Sequence, residues 1–112
     1  LLLSSSILVS ALSAVAAPNL VTNGGFEADS VSNSAYDTYA VGASGISGWT
    51  ITGSTGQNVT LNAAGYLGQA SQQVDVSGVS DSAGSAIEQT IATVSGQLYT
   101  LNPATGVATP TG

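Results

Sequence analysis

Trp49-Thr50-Ile51-Thr52-Gly53-Ser54-Thr55-Gly56-Gln57-Asn58-Val59-Thr60-Leu61 holds the pattern that decides the fold. From Trp49 to Thr52 apolar and hydroxyl side chains alternate, as they do in a strand with one buried face. Gly53-Ser54-Thr55-Gly56 is turn chemistry. Val59 and Leu61 then alternate with Asn58 and Thr60. Outward from here the texture repeats. Val74 and Val76 flank Asp75, whose carboxylate should then point to solvent, and Leu98-Tyr99-Thr100-Leu101 is a further β-rich burst. Ser77-Gly78 and Ser95-Gly96 supply more turns. Short strands at this spacing predict an all-β sandwich or barrel.

Residues 86–94 are locally ambiguous. Ile87, Ile91 and Val94 have helical spacing, and Ser85 with Glu88 fits a capping box. Against a helix, Thr90, Ile91, Thr93 and Val94 are β-branched and stiff at χ1. The Ser95-Gly96 turn also leads into residues 97–101 at hairpin distance. A strand is the preferred reading. Beyond it, residues 102–112 carry Pro103, Pro110 and little alternation, and read as an irregular tail or a truncated continuation.

The 112-residue chain opens on Leu1-Leu2-Leu3 and runs through Ile7, Leu8, Val9 and Leu12 to Ala14-Val15-Ala16-Ala17-Pro18. An apolar run ending in Ala-x-Ala reads as a signal peptide over residues 1–16, cleaved after Ala16. No positively charged leader precedes it, so the start of the reading frame is expected upstream. A membrane anchor is the rival, but Ser4, Ser5, Ser6, Ser10 and Ser13 interrupt a run short of the ~20 residues a span needs. The chain is therefore expected to be secreted, with no membrane insertion after cleavage.

Lys, Arg, His and Cys are absent, and the six charges are all carboxylates. Nucleic-acid binding is excluded, because neutralising phosphates takes Lys or Arg. A serine triad lacks its base, and thiolate or His/Cys zinc chemistry lacks its ligands. What remains is a carboxylate pair as in glycosidases, for which Asp37, Asp75, Asp81 and Glu88 are the candidates. Solvated surface acids explain these residues as well, and no enzyme is expected.

The opening Asn19-Leu20-Val21-Thr22-Asn23-Gly24-Gly25-Phe26-Glu27 enters a specified turn, since Asn and Gly tolerate positive φ. Glu27 stands where the turn's own carbonyls could help it hold a hard cation, the alternative being that it merely caps the turn. Phe26, Trp49 and Tyr99 read as core aromatics. Tyr36, Asp37 and Tyr39 read as one Ser/Asn/Gly-rich loop and Tyr66 as part of another. Together they form a candidate sugar platform, with packing as the alternative for each. Asn58-Val59-Thr60 is an N-glycosylation sequon.

The opening segment, Ile46-Ser47-Gly48-Trp49-Thr50-Ile51, Gln72-Gln73-Val74-Asp75-Val76-Ser77-Gly78 and residues 86–101 come in an order that resembles secreted bacterial proteins of the choice-of-anchor C family. It is similar also to plant cell-wall proteins of a domain-of-unknown-function class sharing that fold. The resemblance covers roughly residues 19–101. It implies a galactose-binding-like jelly-roll β-sandwich over residues 17–101, incomplete at its C-terminus, that associates with wall or matrix polysaccharide. It also implies a structural calcium at Glu27, with Asn23 or Asp29 as helpers. The expected function is a non-catalytic carbohydrate-binding module of the cell envelope or extracellular matrix. With no cation to hold a uronate, a neutral glycan is the simpler ligand. The alternative is a structural surface protein that uses its strand edges for protein contacts or self-association.

Overall fold

A computed structural model describes residues 5, 7, 10–11, 15–80, 84–103 and 105–111. The signal-peptide reading over residues 1–16 falls largely outside these residues. No helix among the described residues is long and apolar enough to cross a membrane.

The chain is all-β. Its strands are β1 (Tyr36–Ala40), β2 (Thr50–Gly53), β3 (Asn58–Asn62), β4 (Gln73–Asp75), β5 (Ser85–Glu88), β6 (Leu98–Asn102) and β7 (Val107–Thr111). All pairings are antiparallel, and they form one three-stranded sheet in the order β1-β3-β4 and two pairs, β2-β5 and β6-β7. The β1-β3-β4 and β2-β5 sheets share one core. Ile51 from β2 clusters with Val59 and Leu61 from β3 and with Ile46 from the loop before β2. Each such side chain is worth roughly 1.5–3 kcal/mol on burial. Val74 and Ile87 close the cluster from β4 and β5.

The strand reading of residues 49–61 therefore holds, with one difference. Thr60 and Asn62 are as buried as Val59 and Leu61, at 4% and 6% exposure. β3 is the central strand, and the short turns Tyr66–Gly68 and Gly78–Ser80 lie beside it, so its polar face is covered too. Asn58 is drawn into the same packing. Its Oδ1 accepts from Val79 N at 3.0 Å, and a Cβ on Gly78 would run into it.

Five further expectations are corrected. Tyr36, Asp37 and Tyr39 lie on strand β1 and not in a loop, because their alternation matches the pleat: Asp37 and Tyr39 face inward and Tyr36 faces out. Asp75 does not simply face solvent. It ends β4 half-buried, its Oδ1 accepting from Ser77 N (2.9 Å) and Ser77 Oγ (2.6 Å), while Val76 is turned outward. Residues 86–94 form no helix, in keeping with the preferred strand reading, but that strand stops at Glu88. β5 pairs with β2, whereas β6 takes β7 as its partner, so Ser95-Gly96 does not join a hairpin. The segment read as a tail supplies that partner strand despite Pro110, which is tolerated where a donor is not needed by the ladder.

Residues 19–31, called the strap below, carry no strand. Two of their own side chains, Asn19 and Asn23, and Gln89 from beyond β5 fasten them. Asn19 Oδ1 accepts from Ala108 N at 2.8 Å, and its Nδ2 donates to the Gly106 carbonyl at 3.1 Å. Leu20 N donates to the Ala108 carbonyl at 2.8 Å. Gln89 spans the Thr22 backbone, its Oε1 accepting from Thr22 N (2.7 Å) and its Nε2 donating to the Thr22 (2.9 Å) and Gly48 (2.6 Å) carbonyls. Asn23 Nδ2 donates to Ser47 O (2.9 Å) and Asp29 Oδ2 (3.2 Å), while its Oδ1 accepts from Ala28 N (3.1 Å). The left-handed residues of this turn are Asn23 (φ 50°) and Phe26 (φ 60°) rather than the glycines. Gly24 is needed for close approach: a Cβ there would collide with the Gly106 carbonyl.

Candidate functional site

Tyr36 and Tyr66 meet. Tyr36 opens β1, and Tyr66 rises from the tightly closed loop after β3. Ala63 N donates to the Ala35 carbonyl (2.8 Å), prolonging the β1-β3 ladder. Gly65 N donates to the Gln69 carbonyl (2.7 Å) and Tyr66 N to the Ala63 carbonyl (3.1 Å). Left-handed Gly65 (φ 85°) and Gly68 (φ 81°) let the chain double back within a few residues. The ring centroids of Tyr36 and Tyr66 lie 5.7 Å apart with planes tilted by 51°. Next to them Leu67 is 73% exposed.

These tyrosines line a shallow cleft of about 210 Å³ with Thr60, Asn62, Leu67, Asp75, Gly78 and Val79. Strand register explains the grouping. Tyr36 sits opposite Asn62, and Asn62 opposite Gln73; Thr38 sits opposite Thr60, and Thr60 opposite Asp75. Two polar rows thus cross the outer face of the sheet, while Val59, Leu61 and Val74 point the other way into the core. Ser77 holds Asp75 in place, and its hydroxyl and then its backbone N–H keep that carboxyl below the usual aspartate value.

Asp37 and Tyr39 are not part of this cleft. They face the opposite side of β1, where Asp37 accepts from Ser32 N at 2.7 Å and also from Ser32 Oγ. Those bonds, the hydroxyl one first, lower its carboxyl pKa. Tyr39 packs against the core with its ring across Gly45, and burial, followed by the Asp37 and Asp29 charges, pushes its phenol up. The four-residue platform is therefore divided by the pleat into a facing pair, Tyr36 with Tyr66, and an inward pair. Thr60, Asn62, Asp75, Leu67 and Val79 were not foreseen in this role. A polar residue between Val59 and Leu61 and another after it was the available signal, but only the register shows that they share a face with Tyr36.

A second cleft of about 460 Å³ is lined by Gly24, Phe26, Glu27, Gln72, Gln73 and Thr105, among others. Glu27 Oε1 accepts from Gln72 N (2.7 Å) and its Oε2 from Gln72 Nε2 (3.2 Å). Gln72 Nε2 also donates to the Asp29 carbonyl (3.0 Å), which leaves its own Oε1 buried without a partner. That orphaned oxygen and the Glu27 carboxylate are suitable for a hard cation, but calcium takes six to eight oxygens. The proposed helpers are otherwise engaged: Asp29 accepts from Ser47 N (2.8 Å), Ser47 Oγ (2.6 Å) and Asn23 Nδ2, and Asn23 Oδ1 accepts from Ala28 N. No group of three or more His, Cys, Asp or Glu converges among the described residues. Among the described side chains, Glu27 and the Gln72 Oε1 are the free oxygens this cleft offers a cation, and the rest of a calcium shell would have to come from backbone carbonyls.

Of the acids considered for catalysis, Asp75 lines the Tyr36/Tyr66 cleft, Asp37 faces away, Glu88 stands exposed on β5, and Asp81 lies outside the described residues. Phe26 and Trp49 do pack together, with centroids 5.5 Å apart, and Trp49 Nε1 donates to the Asn23 carbonyl at 3.0 Å. Tyr99 is not part of the central cluster; its hydroxyl accepts from Val94 N at 2.7 Å. Compared with known proteins, the chain matches no family model, no curated protein and no solved structure.

Proposed function

We propose that the chain is a secreted, non-catalytic carbohydrate-binding module with a galactose-binding-like jelly-roll sandwich, acting in the cell envelope or extracellular matrix. The observation that carries this reading is the tilted Tyr36–Tyr66 pair above a floor of Asn62, Thr60 and Asp75. Aromatic faces suit the apolar CH face of a pyranose, and the amide, hydroxyl and carboxylate suit its hydroxyl groups. The cleft is shallow, carries one acid among the described residues and no cation, and so favours a neutral glycan. The Tyr36-Asn62-Gln73 row runs from this cleft to the edge strand, and Gln73 also lines the larger cleft beside Glu27. Neighbouring strands are about 4.8 Å apart, a stride comparable to one sugar, so the row suits consecutive residues of a chain better than a single terminal sugar.

The test is binding to arrayed neutral polysaccharides and to an oligosaccharide series. Affinity is expected to rise with chain length, and Tyr36→Ala or Tyr66→Ala to weaken it by roughly tenfold, the scale of one lost aromatic contact. Tyr39→Phe is expected to leave binding unchanged. Saturable binding that ignores both alanine substitutions would overturn the placement of the site. A second reading, self-association through strand edges, is favoured by one observation: Leu98 and Leu101 on β6 are 74% and 68% exposed, with Val94 at 70% nearby. Concentration-dependent assembly without glycan, in the absence of any glycan binding, would support that reading instead.

A further inference from the structure

We propose that Asn23-Gly24 is a self-modification site, an asparagine that deamidates through a cyclic imide only when the strap leaves the body of the fold. In an Asn-Gly pair the glycine nitrogen can attack the preceding side-chain Cγ because no Cβ shields it. The Gly24 N–Cγ bond forms, the Cγ–Nδ2 bond breaks, and Nδ2 departs as ammonia with the former Gly24 amide proton. Water then adds to one imide carbonyl and opens the ring to aspartate or isoaspartate. Water is the sole co-reactant.

The fold itself requires this labile pair. Gly24 cannot carry a side chain, because a Cβ would strike the Gly106 carbonyl, and a Cβ on Gly106 would strike the Gly24 carbonyl in return. Position 23 needs a residue that accepts φ 50° and offers both a donor and an acceptor. Asparagine meets all three conditions.

The same fold also suppresses the reaction. The Asn23 amide is held on both sides, Nδ2 by Ser47 O and Asp29 Oδ2 and Oδ1 by Ala28 N. The Asn23 carbonyl is held by Trp49 Nε1 (3.0 Å) and Phe26 N (3.1 Å). To reach the Gly24 nitrogen, Cγ must swing out of this clamp and lose its side-chain bonds together. Once converted, the residue cannot return. Aspartate has no Nδ2 donor and would turn a carboxylate toward the Asp29 carboxylate and the Ser47 carbonyl, which repel it. The modification is a one-way mark on chains whose strap has opened, and docking of β6-β7 against Gly24 controls that opening.

The full chain is incubated in mildly alkaline buffer with and without denaturant, and residue 23 is followed by peptide mass mapping and isoaspartate detection. Conversion is expected to be at least about tenfold slower in the native protein, since the reaction proceeds only through the opened population. Gly106→Ala, which forces the hairpin off Gly24, is expected to move the native rate toward the denatured one. Asn23→Asp is expected to melt at a lower temperature than wild type. Equal rates in native and denatured wild type would overturn the proposal. So would a folded Gly106→Ala chain with the wild-type rate, or an Asn23→Asp chain with the wild-type melting temperature. If Gly106→Ala does not fold, the wild-type rate comparison decides alone.

Discussion

In the β1-β3-β4 sheet, neighbouring backbones hydrogen-bond to one another directly, and Val59, Leu61 and Val74 fill the space beneath. Along the strap the backbone finds few partners of that kind. Val21, Thr22 and Ala28 are satisfied there by the side chains of Asn19, Gln89 and Asn23, which imitate the strand that is missing. The first arrangement spreads its stability over many interchangeable apolar contacts. The second concentrates it in a few side chains, each serving two or three backbone groups, so losing one leaves several polar groups unsatisfied at once. The strap and the sheet should therefore fail differently.

The largest effect is expected from the sheet. Leu61→Ala opens a cavity in the core shared by both sheets and should cost about 3 kcal/mol. Chemical denaturation followed by circular dichroism should show the midpoint shift with a single transition, because the cluster belongs to both sheets. Asn23→Ala comes next, at about 2 kcal/mol, from three lost side-chain hydrogen bonds and an alanine held at positive φ. Its signature is different. Trp49 is the sole tryptophan and bonds the Asn23 carbonyl, so its fluorescence should change at lower denaturant than the sheet signal. Coincident transitions in this variant would mean that strap and sheet are one cooperative unit. Gln89→Ala should cost about 1 kcal/mol, since its bonds are exposed and water replaces them in part. Faster amide exchange at Thr22, with exchange in β3 unaltered, is the expected readout.

The same contrast explains what the sequence made legible. Residues 49–52 and 58–61 announced their strands because burial of one face imposes a two-residue period, and Ile51, Val59 and Leu61 obey it. β7 was missed because Pro110 and Thr109 show no such period; its place follows from pairing with β6 and from Asn19. Nor did the Ser95-Gly96 turn show that β5 would choose β2 as its partner, a pairing between residues more than thirty positions apart. At the candidate cleft, the tyrosines were visible as isolated aromatics. Their division by the β1 pleat was not, because residues 31–40 carry too little apolar alternation to mark a strand before its partner is known. The strap clamp was least legible of all. Gln89 and Ser47 are unremarkable residues until folding sets them beside Thr22 and Asn23.

The smallest expected effect concerns acid. Asp75 and Asp37 each accept a hydroxyl and a backbone N–H from one serine, Ser77 and Ser32 respectively, and both carboxyl groups lie below the ordinary value of 3.8. A depressed folded value means that the ionised form is favoured by folding. The resulting stability is fully present above the unfolded value and is lost as pH falls through the folded one. Both groups keep contact with solvent, so the contribution is small and screened. Ser77→Ala removes the larger of the two Ser77 contributions to Asp75 and leaves the backbone ones. Denaturation midpoints compared at neutral pH and at about pH 3 should therefore fall slightly less in Ser77→Ala than in wild type, and less again in Ser32→Ala/Ser77→Ala. A steeper acid loss in either variant would mean that the serines do not favour the ionised carboxylates. Because Asp75 also lines the tyrosine cleft and Asp37 does not, glycan binding should weaken in acid through Asp75 alone. If the proposed site binds glycan, Asp37→Asn leaves the acid dependence of binding intact while Asp75→Asn removes it, which separates the face proposed to recognise from the face that packs.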